Sequence, residues 1–163
     1  MRRIFIIASL FAALCGVALT GLVLHPVPPP AHVKPLFQGA KIDAPTLALF
    51  QRACQNCHSE NTQWPWYSRI PPASWMIAKD VQNARSHVTF SNWDCYRPEE
   101  QVDFLTQIGA NVRTGRMPLP RYTLLHREAV LAPRERQQIY EWSRAEKKRL
   151  RASPEHGLPG LRP

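Results

Sequence analysis

The sequence predicts an all-α fold. Apolar residues recur at spacings of three and four in several segments of the 163-residue chain, which is the period of a helix face. Several of these segments open at a proline or a capping side chain, and one ends at a glycine. No segment alternates apolar and polar residues as a half-buried strand would. We therefore expect helices joined by irregular chain.

The first helix of the folded domain is predicted over residues 44–57. Asp43 is a suitable N-cap, and Pro45 is tolerated in a first turn. One face of this helix would carry Leu47, Phe50, Cys54 and Cys57. Both thiols would therefore point to the same side.

Three more helices follow. The second is predicted over 73–87, and a third opens at Pro98 and stops at Gly115. Its inward face is Val102, Leu105, Ile108 and Val112. The last starts near Pro133 and carries Ile139, Trp142 and Ala145. Between the first two helices, residues 59–75 are rich in Trp and Pro, which predicts irregular chain wrapped around an apolar object.

The N-terminal residues 1–24 form a membrane anchor or signal segment. Residues 4–24 are uncharged and mostly apolar, and as a helix they would span roughly 30 Å. We favour an uncleaved transmembrane helix, because the run ends in Leu-Val-Leu-His-Pro rather than at a small-x-small cleavage site. Arg2 and Arg3 would stay in the cytoplasm, so the remainder would face the periplasm. A cleaved segment and a soluble periplasmic protein are the alternative.

The remaining chain divides into three parts. Residues 25–38 contain five prolines and form a stiff linker. Residues 39–151 form the domain. Residues 152–163 are expected to be a flexible tail.

The most informative motif is Cys54-Gln55-Asn56-Cys57-His58, the C-x-x-C-H signature of c-type haem attachment. Two thiols at this spacing add to the two vinyl groups of one porphyrin, and the following histidine ligates the iron. Zinc bound with Cys95 is an alternative, but adjacent Cys57 and His58 do not match zinc-ligand spacings. A thioredoxin-like dithiol would need a βαβ pattern, which the sequence lacks. We expect one covalent haem c, with Cys95 as a buried free thiol.

The second iron ligand is predicted to be Met117. It follows the helix stop at Gly115, and prolines on its C-terminal side stiffen its loop. The same residue could instead fill a gap in the core. His126 is the chief rival, and His87 is a weaker one.

The chain resembles the bacterial haem-binding-domain family of small single-haem cytochromes over about residues 44–146. The matching stretches are Cys54-Gln55-Asn56-Cys57-His58-Ser59, Thr62-x-Trp64-Pro65-Trp66-Tyr67-Ser68-x-Ile70, Pro72-x-Ser74-Trp75, Phe90-Ser91-x-Trp93, and Gly115-x-Met117-Pro118 with Tyr122 and His126. The Leu131-x-Pro133…Glu141-Trp142 stretch is similar to the closing helix of cytochromes c. The resemblance implies a cytochrome-c-like fold with Met117 as distal ligand. This chain departs from the family at Ala84, where a glycine is common, and at Ala132, where a capping serine is usual.

The net charge of +9 excludes few functions by itself. Arg144, Lys147, Lys148, Arg149 and Arg151 cluster at the end of the last helix. They are either a solvated helix terminus or a docking patch for an acidic redox partner or anionic lipid. Nucleic acid is not expected as a partner of an exported domain.

These observations predict a membrane-anchored periplasmic monohaem c-type cytochrome that carries single electrons and is not an enzyme. One alternative is a haem-based sensor or peroxidase-like protein with a labile sixth ligand. Another is an assembly protein that uses Cys54 and Cys57 for zinc or as a dithiol.

Overall fold

The computed structural model describes residues 2–24 and 33–153, and in the first range it describes the side chains of residues 5–17. The described residues contain helices and no strand, which confirms the all-α prediction. The helices are α1 (Arg2–Leu24), α2 (Ala44–Ala53), α3 (Gln55–His58), α4 (Ala73–His87), α5 (Pro98–Arg113), α6 (Pro120–Leu125) and α7 (Pro133–Ala152). Short 3-10 turns cover Trp66–Arg69, Phe90–Cys95 and Arg127–Ala129.

The helix predicted over 44–57 is broken in the middle of its thiol pair. Asp43 caps α2 as expected, because its carboxylate accepts the backbone N–H of Thr46 at 2.7 Å. The helix then breaks at Cys54, whose φ of −129° and ψ of −32° are not helical. The four-residue α3 carries Cys57 and His58. The break lets the attachment motif turn relative to α2.

The predictions for α4 and α5 are confirmed. Helix α4 has the predicted bounds, and α5 opens at Pro98. The four inward positions of α5 predicted above are buried. Gly115 follows with a φ of +72°, the left-handed conformation in which a glycine ends a helix without a steric cost.

Helix α7 opens at Pro133 as predicted and carries the three residues named for it, of which Ile139 and Trp142 are buried and Ala145 is exposed. The buried position of this turn is Glu146, which is 2% exposed. Its carboxylate accepts hydrogen bonds from Arg149 in the next turn, at 2.5 and 2.7 Å. An ion pair therefore occupies a position where the sequence pattern predicts an apolar residue.

The core lies where α5 packs along α7 and where the aromatic side chains gather. The buried aromatic members of this core are Phe37, Phe50, Phe90, Trp93 and Trp142. The ring of Phe37 lies 4.6 to 5.0 Å from the other four, measured between centroids. Phe37 has a φ of +55°, and its N–H donates to the carbonyl of Phe90 at 3.0 Å.

The boundaries of the domain differ from the sequence prediction at one end. Leu36 and Phe37, which the sequence places in the linker, are buried in the core, so the packed domain begins before residue 39. Residues 25–32 of the linker and 154–163 of the tail lie outside the described residues. Among the residues that the structure describes, no helix has the length and hydropathy needed to cross a membrane.

Candidate functional site

A cavity of about 380 Å³ lies between α2, α3, α4, α5 and the segment that leads into α6. All four residues that the sequence predicts for haem attachment and iron ligation line it: Cys54, Cys57, His58 and Met117. Much of the remaining wall is apolar and comes from Phe50, Val88, Phe90, Phe104, Ile108, Val112 and Leu119. The volume lies in the range of pockets that enclose small-molecule ligands.

The two thiols are free and half-buried at this wall. Burial raises the pKa of Cys54 to about 12, and it raises the pKa of Cys57 as well. Both groups are therefore neutral thiols near pH 7. Cys54 ends α2 and Cys57 lies in α3, so the break between the two helices separates the thiols but leaves both facing one cavity.

His58 is held in one orientation. Its Nδ1 lies 3.2 Å from the carbonyl oxygen of Val88. Because a carbonyl oxygen can only accept, Nδ1 carries the hydrogen and donates this hydrogen bond. Its ring stacks on Phe90 with 5.1 Å between centroids and 20° between planes. Burial lowers the pKa of His58, which favours the neutral ring. This arrangement leaves Nε2 as the nitrogen with a lone pair, as a metal-ligating histidine requires.

Arg85 fixes the turn that follows His58. Its Nε donates to the carbonyl of Ser59 at 3.0 Å, and its Nη2 donates to Thr62 Oγ1 at 2.8 Å. The Ser59 hydroxyl in turn donates to the carbonyl of Gln55 at 2.7 Å. A side chain of α4 therefore ties the attachment motif to the rest of the domain.

Met117 is positioned by the end of α5. The carbonyl of Asn111 accepts the backbone N–H groups of both Arg116 and Met117, at 2.9 and 3.2 Å. These bonds turn the chain back after Gly115 and place the half-buried Met117 at the cavity wall. The sequence predicts a loop at Met117 that prolines stiffen. In the structure the backbone hydrogen bonds to Asn111 hold this loop as well.

Asn56 links the attachment motif to α6, a helix that the sequence pattern does not predict. Its side-chain amide donates to the hydroxyl of Tyr122 at 3.0 Å, and its amide oxygen accepts the N–H of Gln63 at 3.0 Å. Tyr122 lines the cavity. The two variable positions of a C-x-x-C-H motif carry no general signal, so only the fold reveals this contact.

His126, the chief rival of Met117, lies outside the cavity lining. Its Nε2 is 2.6 Å from the hydroxyl of Tyr67, and its Nδ1 is 2.9 Å from Glu128 Oε1. Its ring also stacks on Tyr122 with 4.2 Å between centroids. Both ring nitrogens therefore have partners within the protein, and His126 joins α6 to the turn at Trp66–Arg69.

Three other residues differ in their relation to the site. His87 lines the cavity, with its Nδ1 bonded to the carbonyl of Asn83 at 2.7 Å, so its Nε2 remains available. Met76 is 55% exposed on α4 and does not line the cavity. Cys95 is exposed, so the prediction of a buried thiol is wrong.

The expectation that residues 59–75 wrap an apolar object is also wrong. None of them lines the cavity. Trp66 is 76% exposed and Trp75 is 52% exposed. Aromatic residues in irregular chain occur both in segments that wrap an apolar object and in segments whose rings face outward. The sequence pattern does not distinguish these two cases.

The described residues fit a haem. Two thiols and a histidine with a fixed tautomer face one largely apolar cavity, and a thioether from a separate segment faces it too. The thiols have the spacing for covalent attachment, and the imidazole and thioether are the donor types that ligate haem iron in electron carriers. No described group of three or more His, Cys, Asp or Glu side chains could hold a metal ion directly. Cys95, the fourth ligand in the zinc alternative, does not line the cavity.

The fold and this site define a helical haem-binding protein. Residues 22–145, which are more than half of the chain, match the model of the haem-binding domain family. The chain belongs to that family. No curated protein and no solved structure matches the chain significantly.

Proposed function

We propose that the protein is a monohaem c-type cytochrome that carries single electrons on the periplasmic side of the inner membrane. The observation that carries this proposal is that Cys54, Cys57, His58 and Met117, from two separate segments, line one cavity. In this proposal Cys54 and Cys57 hold the porphyrin through thioethers, and His58 and Met117 ligate the iron. The haem iron supplies the one-electron couple when it is bound.

The protein supplies rigidity and a water-poor environment. The bond from His58 Nδ1 to the Val88 carbonyl and the stack on Phe90 fix the imidazole, while Asn111 fixes the segment of Met117. Ligands that do not move between the two oxidation states keep the reorganisation energy of electron transfer small. The proposal assigns no catalytic role to the protein, because two protein ligands leave no open position on the iron for a substrate.

The proposed location depends on the amino-acid sequence of residues 4–24, since no described helix meets the length and hydropathy needed for a membrane span. In the sequence these 21 residues are uncharged and follow two arginines, and the described apolar side chains of α1 are exposed. We propose that this segment anchors the protein in the inner membrane with the domain outside. Carbonate extraction of membranes, together with N-terminal sequencing of the mature protein, tests the anchor. Release by carbonate, or a mature N-terminus at residue 25 or beyond, would show a soluble periplasmic protein.

Spectroelectrochemical titration of the full chain in detergent tests the electron-carrier function. We expect a low-spin spectrum in both oxidation states and a single reversible one-electron transition. The reduced protein should not bind carbon monoxide on mixing. Rapid binding of carbon monoxide by the unaltered protein would instead favour the sensor or peroxidase-like alternative, in which the sixth ligand is labile.

A further inference from the structure

The large apolar side chains exposed on the domain are unevenly distributed. Within residues 33–153, most of them come from two short segments that are far apart in the chain. These residues, which we call the α4–α6 face, are Trp66, Ile70, Trp75, Met76, Leu124 and Leu125. Their exposed fractions range from 42% for Ile70 to 76% for Trp66. Exposed apolar side chains that lie together on a protein surface mark interaction sites.

Two polar contacts bring these segments to one side of the domain. Arg121 at the start of α6 forms a two-pronged ion pair with Asp80 of α4, with N–O distances of 2.5 and 3.0 Å. At the other end of α6, His126 contacts Tyr67, which precedes α4. Helix α6 is therefore tied to α4 through Asp80, and its C-cap residue His126 is tied to the turn at Trp66–Arg69. Met76 lies one turn from Asp80, and Leu125 lies one turn from Arg121, so both fall between the two contacts.

The α4–α6 face borders the cavity. The Asp80–Arg121 ion pair that joins the two helices also contributes to the cavity wall, as does Tyr122. A molecule that covers this face would lie beside the proposed haem, separated from it by the side chains of that wall. An electron carrier needs its partner at this distance, because transfer rates fall steeply as the separation grows.

The charges around the face select the kind of partner. Arg69, Lys79 and Arg127 are exposed, lie within three residues of these apolar residues in the sequence, and have no ion-pair partner among the described residues. Two copies of this chain would bring these cations together, which opposes self-association. A lipid bilayer would have to cover the Asp80–Arg121 ion pair, which is costly in an apolar medium. A protein surface can meet the apolar residues and pair the cations with carboxylates.

We propose that the α4–α6 face docks the redox partner, a protein with an apolar patch rimmed by carboxylates. The proposal rests on the electron-carrier function proposed above and names the surface that this function uses. The α4–α6 face is a different surface from the basic cluster of α7. Helix α7 packs on the face of α5 that is turned away from the cavity. Leu105, Gly109 and Arg113 adjoin α7, whereas Phe104, Ile108 and Asn111 line the cavity. Aromatic and arginine side chains of this kind dominate the binding energy of interfaces.

A gold electrode coated with mixed methyl- and carboxylate-terminated alkanethiols serves as the probe, since it presents the chemistry of the proposed partner. The haem-loaded full chain in detergent is compared with a Trp66→Ser/Leu125→Ser variant and a Lys79→Glu/Arg127→Glu variant. A matched control, Lys147→Glu/Lys148→Glu, removes the same amount of positive charge from α7. We expect both face variants to transfer electrons to the coated electrode about tenfold more slowly, and the control to stay near the unaltered rate.

Three outcomes would overturn the docking proposal. Slowing in the α7 control alone would move the docking site to α7, and unchanged rates in both face variants would remove the role of the face. Sedimentation of the unaltered protein as a dimer that dissociates in the Trp66→Ser/Leu125→Ser variant would make a second copy the occupant. The midpoint potential in solution with small mediators should stay the same in every variant. Absence of a reversible couple in that solution measurement would refute the electron-carrier function itself, which separates the two failures.

Discussion

Replacement of Phe37 by alanine should strongly destabilise the domain. The ring is 1% exposed and lies within 5.0 Å of four aromatic rings, measured between centroids. Truncation of a buried Phe to Ala costs about 3–5 kcal/mol, and each aromatic pair adds to the loss of buried area. We therefore expect a loss near the upper end, about 4–5 kcal/mol, in the free energy of unfolding. That is a large fraction of the stability of a domain this size.

The backbone of Phe37 sharpens this prediction. Its φ of +55° lies in the left-handed region, which costs a residue with a Cβ about 1 kcal/mol relative to glycine. Phe37→Ala keeps that cost, whereas Phe37→Gly removes it. The glycine variant should therefore be the less destabilised of the two by about 1 kcal/mol, reversing the usual preference for alanine.

Guanidinium unfolding of the haem-loaded full chain, followed by far-ultraviolet circular dichroism, measures both differences. Leu124→Ala is the matched control, because Leu124 is 67% exposed and its truncation should change stability by no more than about 0.5 kcal/mol. A loss below about 2 kcal/mol for Phe37→Ala, or a glycine variant less stable than the alanine variant, would refute the reasoning about the core.

Three further predictions concern the site and the buried ion pair. Met117→Ala should keep the covalent haem, bind carbon monoxide when reduced and have a lower reduction potential. His126→Ala and His87→Ala should keep the low-spin spectrum. Loss of that spectrum in either histidine variant would reassign the ligand to that histidine. In protein produced without haem, iodoacetamide at pH 8 should alkylate the exposed Cys95 before Cys54, because burial raises the pKa of Cys54 from 9.0 to about 12. Because the buried Cys54 thiol favours its neutral form, it contributes to the free energy of unfolding below pH 9, and this contribution is lost as the pH rises towards 12. Equal alkylation rates for Cys54 and Cys95 in the folded protein, measured by peptide mass spectrometry, would contradict the raised pKa of Cys54. Glu146→Gln should reduce the free energy of unfolding by about 1–3 kcal/mol, because Arg149 loses the carboxylate with which it pairs and the neutral amide cannot accept both of its hydrogen bonds. The exposed Glu141→Gln should have little effect, and equal losses would argue against a role for the Glu146–Arg149 pair.

The features that the sequence predicts well are those set by nearby residues. The Asp43 cap, the opening of α5 at Pro98 and the stop at Gly115 each depend on a few adjacent positions, and the structure confirms them. The C-x-x-C-H motif is equally local, because it consists of five adjacent residues. The prediction of Met117 as the second ligand rests on the helix stop at Gly115 and the prolines that follow, and the resemblance implies the same residue.

The features that the sequence does not predict depend on tertiary contacts. The sequence places Phe37 in a proline-rich linker, whereas in the structure Phe90 and Trp142 pack around it. Glu146 is buried with its carboxylate bonded to Arg149 and to the backbone N–H of Lys41. The short helix α6 has a weak signal of its own and is held by contacts from Asn56, Tyr67 and Asp80. In each case the decisive partner is distant in the chain or breaks the apolar pattern.

Covalent attachment of haem at Cys54 and Cys57 is the central claim, and the most direct measurement is haem staining on a denaturing gel. The full chain is produced in a strain that matures cytochromes c, and single Cys54→Ala and Cys57→Ala variants are run beside the Cys95→Ala control. We expect the unaltered protein and the control to retain haem after denaturation, with attachment weakened or lost in each motif variant. Extraction of all haem from the unaltered protein into acidified organic solvent would contradict the account.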